Sequence, residues 1–149
     1  MQRRTVLTGL LLAGLPIGGL ISLTVAQADS NPFATHKLVL QLSDASMEKQ
    51  KAIISGANTV LKDYPDTVSI VVVVFGPGVV FLYADSPERT AVDSLISEGV
   101  EFDVCMNTIN TIKRETGHAP KLNPRAIQVP YGIPRIMDLV TKGYVLVRP

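Results

Sequence analysis

The chain contains one cysteine, Cys105, whose thiol is the only soft nucleophile available for chemistry. It follows a segment, 100–104, that predicts a strand, and it precedes a helix predicted to begin near Asn107. In an open α/β sheet, ligands bind in the crevice at the carboxyl ends of the strands. The start of a helix also favours a thiolate, because it presents N–H groups and partial positive charge. The pattern therefore predicts an activated thiol, with a small buried hydrophobic residue as the structural alternative.

Five further residues are candidates to support this thiol. Asn107 and Thr108 open the predicted helix, where their side chains can cap N–H groups or help to hold a sulfane sulfur or an oxyanion. Gly76 and Gly78 flank Pro77 after another predicted strand, and this turn is expected to shape a crevice beside the thiol. The turn lacks the patterns of dinucleotide-binding and phosphate-binding loops. His118 is a candidate proton partner, with a solvated loop histidine as the alternative.

The remaining polar residues give no second reaction centre. Glu98, Glu101 and Asp103 flank the cysteine, and the simplest interpretation places them at a solvated strand edge and helix end. His36 lies far from His118 along the chain, so no metal-ligand spacing is present. We therefore predict no metal and no other cofactor. A cysteine hydrolase is also disfavoured, because no third member of a triad can be assigned.

The first 28 residues have the composition of a secretory signal. Arg3 and Arg4 form a basic start, the stretch 6–25 carries no charge, and alanines occupy the positions that signal peptidase reads before Asp29. The paired arginines also resemble a twin-arginine signal, and both export routes stay open. The chain is thus expected to be exported or periplasmic. An uncleaved membrane anchor is the alternative, because the stretch is about as long as the ~20 residues that span a bilayer.

The rest of the chain predicts one domain over 36–149, after a loose lead-in over 29–35. Loss of two arginines from the full chain's 14 basic and 13 acidic residues leaves a nearly neutral protein with a slight acidic excess. Aromatic residues make up only 5% and no basic stripe is present, which argues against nucleic-acid binding. A single thiol in an oxidising compartment is buried and inert, paired between chains, or used in chemistry.

Hydrophobic periodicity predicts five strands that alternate with four helices. The strands are expected at 37–42, 68–75, 100–104, 126–129 and 144–147, and the helices at 47–62, 88–97, from about 107, and at 135–142. Such alternation predicts a parallel, helix-covered sheet with right-handed crossovers. The strand at 68–75 is almost continuously apolar, which places it in the middle of the sheet. The last helix is expected to bury Ile136, Met137, Leu139 and Val140.

Three segments together resemble the DsrE/DsrF-like proteins. The segment 99–108, GVEFDVCMNT, resembles their signature GV-x-F-x-x-C-x-N-T. The segment 74–78, VFGPG, resembles their H-G-P-G turn, with Phe75 in the place of the histidine. The segment 143–149, GYVLVRP, is similar to the GYAYIRP tail of the exported branch. The resemblance extends from His36 to Pro149.

This resemblance implies an α/β, flavodoxin-like single domain with a mostly parallel five-stranded sheet, and a homo-oligomer. It implies that Cys105 carries sulfur as a persulfide between unidentified donor and acceptor proteins. Phe75 removes a possible acid/base neighbour, and 116–124 departs from the relatives' D-LLPGV pattern. The expected function is that of an exported sulfur carrier. The alternatives are a non-catalytic envelope binding or assembly module with a structural cysteine, and a redox sensor that forms an inter-chain disulfide.

Overall fold

The computed structural model describes residues 31–149, so the predicted signal at 1–28 lies outside the described part of the chain. Five strands and five helices follow one another in this order: β1 (His36–Leu42), α1 (Met47–Asp63), β2 (Val68–Val74), a 3-10 helix (Gly76–Leu82), α2 (Arg89–Ser97), β3 (Glu101–Cys105), α3 (Met106–Thr116), β4 (Ile127–Val129), α4 (Gly132–Thr141) and β5 (Val145–Val147). Each strand and helix predicted from the sequence is present. None of the helices in this part of the chain is long and apolar enough to cross a membrane.

The five strands form one sheet in the order β4-β3-β2-β1-β5, and every pair of neighbours is parallel. The predicted α/β class and parallel sheet are therefore confirmed, and the architecture is consistent with a flavodoxin-like fold. β2 occupies the centre of the sheet, and each of its seven residues is buried. Its continuous apolar sequence fits this position, because a central parallel strand is covered on both faces.

The helices are divided unequally between the two faces of the sheet. The chain steps in one direction from β1 to β4, so right-handed crossovers place α1, α2 and α3 on the same face. The return from β4 to β5 runs in the opposite direction and places α4 on the other face. Two separate cores result. The three-helix face has the larger one, and the α4 face has a core of six buried residues: Val39, Val71, Val73, Ile136, Leu139 and Tyr144.

The predicted last helix differs from the observed α4 in two ways. It begins at Gly132 rather than at Arg135, because Pro134 is compatible with the first turn of a helix. It buries Ile136 and Leu139 as expected, but Met137 is 63% exposed and Val140 is 45% exposed. The prediction that these two side chains are buried is wrong. Successive helical residues point about 100° apart, so Met137 turns away from the sheet that Ile136 contacts.

Two glycines follow the ends of α2 and α3, the helices that come before and after β3 in the chain. Gly99 has φ of 93° and turns the chain from α2 into β3. Gly117 has φ of 85° and ends α3 in the left-handed conformation, where its N–H donates to the carbonyl oxygen of Lys113. Glycine adopts these angles without the steric penalty of a side chain. The two turns fix where β3 starts and where α3 stops.

Candidate functional site

Cys105 is the last residue of β3 and the residue that immediately precedes α3. The predicted strand–helix junction is therefore present. After β3 the chain turns to the three-helix face, whereas after the neighbouring strand β4 it turns to the α4 face. Connections that diverge to opposite faces from adjacent strands leave a crevice between them, which is where ligands bind in open α/β sheets. The cysteine lies at this point of divergence.

A pocket of about 170 Å³ opens at this position. Its walls come from the end of β2, the start of α3 and the first turn of α4, and most of them are apolar. The lining residues are Phe75, Cys105, Asn107, Thr108, Tyr131, Gly132, Ile133 and Pro134. Typical cofactor and drug-sized sites occupy ~300–1,000 Å³, so this pocket fits a small group or one side chain of a partner.

Cys105 is one of the residues that line the pocket. The residue as a whole is 4% exposed, so it is buried although it lines the cavity. Its Sγ lies 4.0 Å from the carbonyl oxygen of Pro130, to which the thiol can donate a long, weak hydrogen bond. The pocket is thus the opening that lies beside this enclosed residue.

The structure brings three of the predicted supporting residues close to the thiol. Asn107 and Thr108 line the pocket, and the backbone N–H of Asn107 donates to the carbonyl oxygen of Pro130 at 3.1 Å. The Thr108 hydroxyl accepts a hydrogen bond from the N–H of Gly76 at 3.0 Å. This bond joins the turn after β2 to the first turn of α3. Gly76 therefore supports the pocket through Thr108 rather than by lining it.

Gly78 serves a different contact. A Cβ atom at this position would lie 2.7 Å from the carbonyl oxygen of Leu42. Glycine is therefore required for the 3-10 helix to pack against the end of β1. Gly78 is not part of the pocket wall.

His118 lies at the end of α3 opposite to Cys105. α3 has eleven residues, which corresponds to a length of ~16 Å. The histidine is exposed, and its Nδ1 is 3.2 Å from the carbonyl oxygen of Thr116. The structure does not bring this ring to the pocket.

The pocket also contains a contact that the sequence did not reveal. A Cβ atom on Gly132 would lie 3.0 Å from Cδ1 of Phe75, so glycine lets the aromatic ring pack against the first turn of α4. Phe75 thereby forms an apolar wall of the pocket. Gly132, which lies between Tyr131 and Ile133, gave no signal of this contact, because the contact joins residues far apart in the chain.

A buried charged cluster lies next to the pocket on the same face of β3. Glu101 and Asp103 alternate with apolar residues along the strand and point to the same side as Cys105. Arg135 of α4 donates from Nε to Asp103 at 2.6 Å and from Nη2 to Glu101 at 2.7 Å. The predicted solvated edge is wrong for both carboxylates, because β3 has neighbours on both sides and α4 covers this face. The sequence offered one signal of this arrangement. Glu101 and Asp103 are two residues apart in a strand that lies inside the sheet, so their side chains point to the same face.

The cluster contains one more carboxyl group than cations. Burial raises the pKa of Asp103 to about 7, the hydrogen bond from Arg135 opposes this shift, and the charge of Glu101 adds to it. Asp103 is 0% exposed, and its Oδ1 has no hydrogen-bond partner within residues 31–149. Burial alone would lower the pKa of Arg135, but its contacts with Asp103 and Glu101 raise it.

Arg135 connects this cluster to the pocket. Its two ion pairs fasten the first turns of α4 to β3, and the same turns supply Gly132, Ile133 and Pro134 to the pocket wall. The cluster therefore positions the cover over the cysteine. In the part of the chain that the structure describes, no three His, Cys, Asp or Glu side chains are grouped so that they can hold a metal ion.

Comparison with known proteins supports the architecture. No protein-family model matches the chain, and no curated protein matches it significantly. Among solved structures, a protein of unknown function from Methanobacterium thermoautotrophicum is similar, with a TM-score of 0.69 and 27% sequence identity. The similarity covers 76% of this chain and 99% of that chain. It supports the fold, and inferences about function rest on the chemistry of the pocket.

Proposed function

We propose that this protein is an exported, DsrE-like sulfur carrier in which Cys105 accepts sulfane sulfur and passes it on. The observation that carries the proposal is the position of Cys105, in the lining of a small pocket where the crevice of the sheet opens. The sequence resemblance around the cysteine, at the turn after β2 and over the segment 143–149 supports the same chemistry.

The reaction requires no cofactor. The Cys105 thiolate attacks the outer sulfur of a persulfide donor, R–S–SH, and a new bond forms between Sγ and that sulfur. The donor's S–S bond breaks, and its electron pair leaves with the donor as R–S⁻. The product is Cys105–S–SH, and the donor is released as a thiolate. Attack by an acceptor thiolate on the outer sulfur of Cys105 reverses these changes and regenerates the carrier.

The surroundings of the thiol suit this exchange. Cys105 is the residue immediately before α3, so its thiol lies at the start of that helix. The apolar walls formed by Phe75 and Ile133 limit access of water and oxidants to a bound persulfide. The Gly76–Thr108 hydrogen bond holds the turn after β2 against the first turn of α3.

Export is part of the proposal and rests on the N-terminal sequence. The basic pair, the uncharged stretch and the alanines before Asp29 support transport out of the cytoplasm. The donor and acceptor would then be proteins or small sulfur compounds of that compartment. The pocket volume fits the end of a persulfide-bearing side chain better than a large cofactor.

Mass measurement after treatment with polysulfide tests the proposal. The folded protein is expected to gain about 32 daltons, one sulfur atom, and to lose it on treatment with a thiol reductant. Peptide mapping should place the added sulfur on Cys105. The Cys105→Ala variant is the control, and an adduct that persists in it would remove Cys105 from the role.

The second candidate is a non-catalytic assembly module in which Cys105 is a structural residue. The 4% exposure of Cys105 favours it, because free cysteines are among the most buried residues. This candidate predicts that the folded protein forms no adduct. A redox sensor is distinguished by a dimer on a denaturing gel that disappears on reduction.

A further inference from the structure

A second cavity lies next to the cysteine pocket at the start of α4. It is here called the Arg135 groove, and its volume is about 220 Å³. Its lining residues are Val129, Pro130, Tyr131, Pro134, Arg135 and Asp138. Tyr131 and Pro134 also line the cysteine pocket, so the two cavities adjoin. A single small ligand can therefore contact both of them.

The Arg135 groove contains two charges of opposite sign. Arg135 uses Nε and Nη2 for its bonds to Asp103 and Glu101, and its Nη1 forms no hydrogen bond within residues 31–149. The carboxylate of Asp138 is exposed and has no ion pair in this part of the chain. Arg135 and Asp138 are three residues apart on α4, a spacing that permits pairing, but they do not pair with each other. The groove thus offers a cationic donor and an anionic acceptor to a ligand.

The charges around the groove favour a ligand that carries both signs. Glu101 and Asp103 already share the one positive charge of Arg135, and Asp138 adds a third carboxyl group. A simple anion would be repelled by this excess of carboxyl groups, and a simple cation would leave Nη1 without a partner. A carboxylate and an ammonium on the same carbon atom satisfy Nη1 and Asp138 together, through charge-assisted hydrogen bonds. This combination is the head group of a free α-amino acid.

We propose that the sulfur donor of this site is the persulfide of a free amino acid such as cysteine, with its head group in the Arg135 groove and its sulfur atoms in the cysteine pocket. The inference rests on the proposed sulfur transfer and names its substrate class. The Cys105 thiolate attacks the outer sulfur of the donor, and a new S–S bond forms at Sγ. The donor's S–S bond breaks, and its electron pair leaves with the amino acid as a thiolate.

The positions of the two cavities suit a donor of this length. Arg135 bonds to Asp103, which precedes Cys105 by two residues on the same face of β3. The α-carbons of Asp103 and Cys105 are therefore about 6–7 Å apart. Four covalent bonds join the carboxyl carbon of cysteine persulfide to its outer sulfur, and they span a comparable distance. The apolar walls formed by Phe75 and Ile133 suit the methylene group and the sulfur atoms.

A series of matched persulfides tests the proposal, with the sulfur added to Cys105 measured by mass at successive times. Cysteamine persulfide lacks the carboxylate, mercaptopropionate persulfide lacks the ammonium, and the cysteine of glutathione persulfide has both groups in peptide bonds. Each rate is divided by the rate of the same donor with N-acetylcysteine, which removes differences in intrinsic reactivity. Cysteine persulfide is expected to be about tenfold faster than each of the other three, because each lacks at least one charge-assisted hydrogen bond. Equal normalised rates would overturn the proposal.

The variant Asp138→Asn tests the contact with the ammonium. It should lower the normalised rates of cysteine persulfide and cysteamine persulfide by about tenfold and leave that of mercaptopropionate persulfide unchanged. Asp138 is exposed, so the substitution should leave the fold intact. The matched control is Asp63→Asn, at an exposed aspartate that ends α1, and it should change none of the rates. If Asp138→Asn kept the wild-type rates for all three donors, the proposed head-group contact would be wrong.

A binding measurement separates this inference from sulfur transfer. S-methylcysteine has the same head group and a thioether that cannot transfer sulfur. It should shift the backbone amide signals of 131–138 in the NMR spectrum of Cys105→Ala, at concentrations about tenfold lower than S-methylcysteamine, which lacks the carboxylate.

The two proposals fail in different ways. If S-methylcysteine binds with this preference but no donor modifies Cys105, the head-group site stands and the sulfur-carrier function fails. If polysulfide modifies Cys105 but S-methylcysteine binds no better than S-methylcysteamine, the sulfur carrier stands and the amino-acid persulfide is excluded as its donor.

Discussion

The two faces of the sheet differ in how they are covered and in what they contain. On one face, α1, α2 and α3 enclose a continuous apolar core that includes Phe81 and Phe102. On the other, α4 is the one helix among residues 31–149, and it covers a smaller core, a buried charged cluster and the cysteine pocket. The comparison indicates that one face contains most of the apolar core and the other holds the buried ion pairs and the pocket.

The largest expected effect is on the three-helix face. Phe102 is 1% exposed and its ring packs against Phe81 at 6.0 Å between centroids. Phe102→Ala should lower the free energy of unfolding by about 3–5 kcal/mol, because it leaves a cavity in the core. Phe33→Ala is the matched control at an 85% exposed site, and it should change stability by less than ~0.5 kcal/mol. Urea unfolding gives both values, and equal effects would contradict the comparison.

The next effect lies in the charged cluster on the α4 face. Arg135→Met leaves Glu101 and Asp103 buried without their cation and should cost about 3 kcal/mol of unfolding free energy. This cost lies at the lower end of the range for breaking a buried ion pair, because Asp103 can take up a proton. The control is Arg89→Met, which removes an ion pair with Asp93 whose side chains are about 30% exposed. Its expected cost is ~0–1 kcal/mol.

Arg135→Met also tests whether Arg135 positions the pocket wall near Cys105 in addition to stabilising the fold. Because Arg135 fastens the turn that covers Cys105, the variant should expose the thiol at temperatures where the protein is still folded. Persulfide formation at Cys105 should then change in rate, whereas Arg89→Met should leave it unchanged. Equal rates in both variants would contradict a positioning role for Arg135.

A third expected effect is a pH dependence that originates in the same cluster. The pKa of Asp103 is raised to about 7 in the folded protein, so its protonated form stabilises the fold. This contribution is fully present below the unfolded pKa near 3.9 and is lost as the pH rises through 7. The lowered pKa values of Asp44 and Asp93, set by hydrogen bonds from Ser46 and Asn123, act oppositely and only at more acidic pH.

Asp103→Asn should remove this slope. The measurement is the free energy of unfolding at pH values from 4.5 to 8. This range is chosen because the raised pKa of Asp103 changes the stability between about pH 4 and about pH 8. The exposed substitution Asp63→Asn serves as the control and should keep the wild-type slope. A slope unchanged in Asp103→Asn would show that another group is responsible.

The architecture was predictable because it is encoded locally. The apolar run of β2 and the alternation of strand and helix patterns specify a central strand and parallel crossovers without reference to distant residues. The strand–helix junction at Cys105 was predictable for the same reason. The position of α4 on the opposite face could be predicted only from the strand order, because it depends on the pairing of β5 with β1.

The details of the site were less predictable because they join distant residues. The Phe75–Gly132 contact and the ion pairs of Arg135 link residues that are more than 30 positions apart, and no local pattern records such pairings. The exposure of Met137 and Val140 also has no local signal. The four apolar residues Ile136, Met137, Leu139 and Val140 do not by themselves show which two face away from the sheet.

The central claim is that the fold presents Cys105 to sulfur donors through its pocket. The most direct test compares persulfide formation at Cys105 in the folded protein and in the same protein unfolded in guanidinium, by mass at successive times. The account predicts that the folded protein acquires the added sulfur at least as fast as the unfolded chain. A folded protein that stays unmodified while the unfolded chain reacts would contradict it.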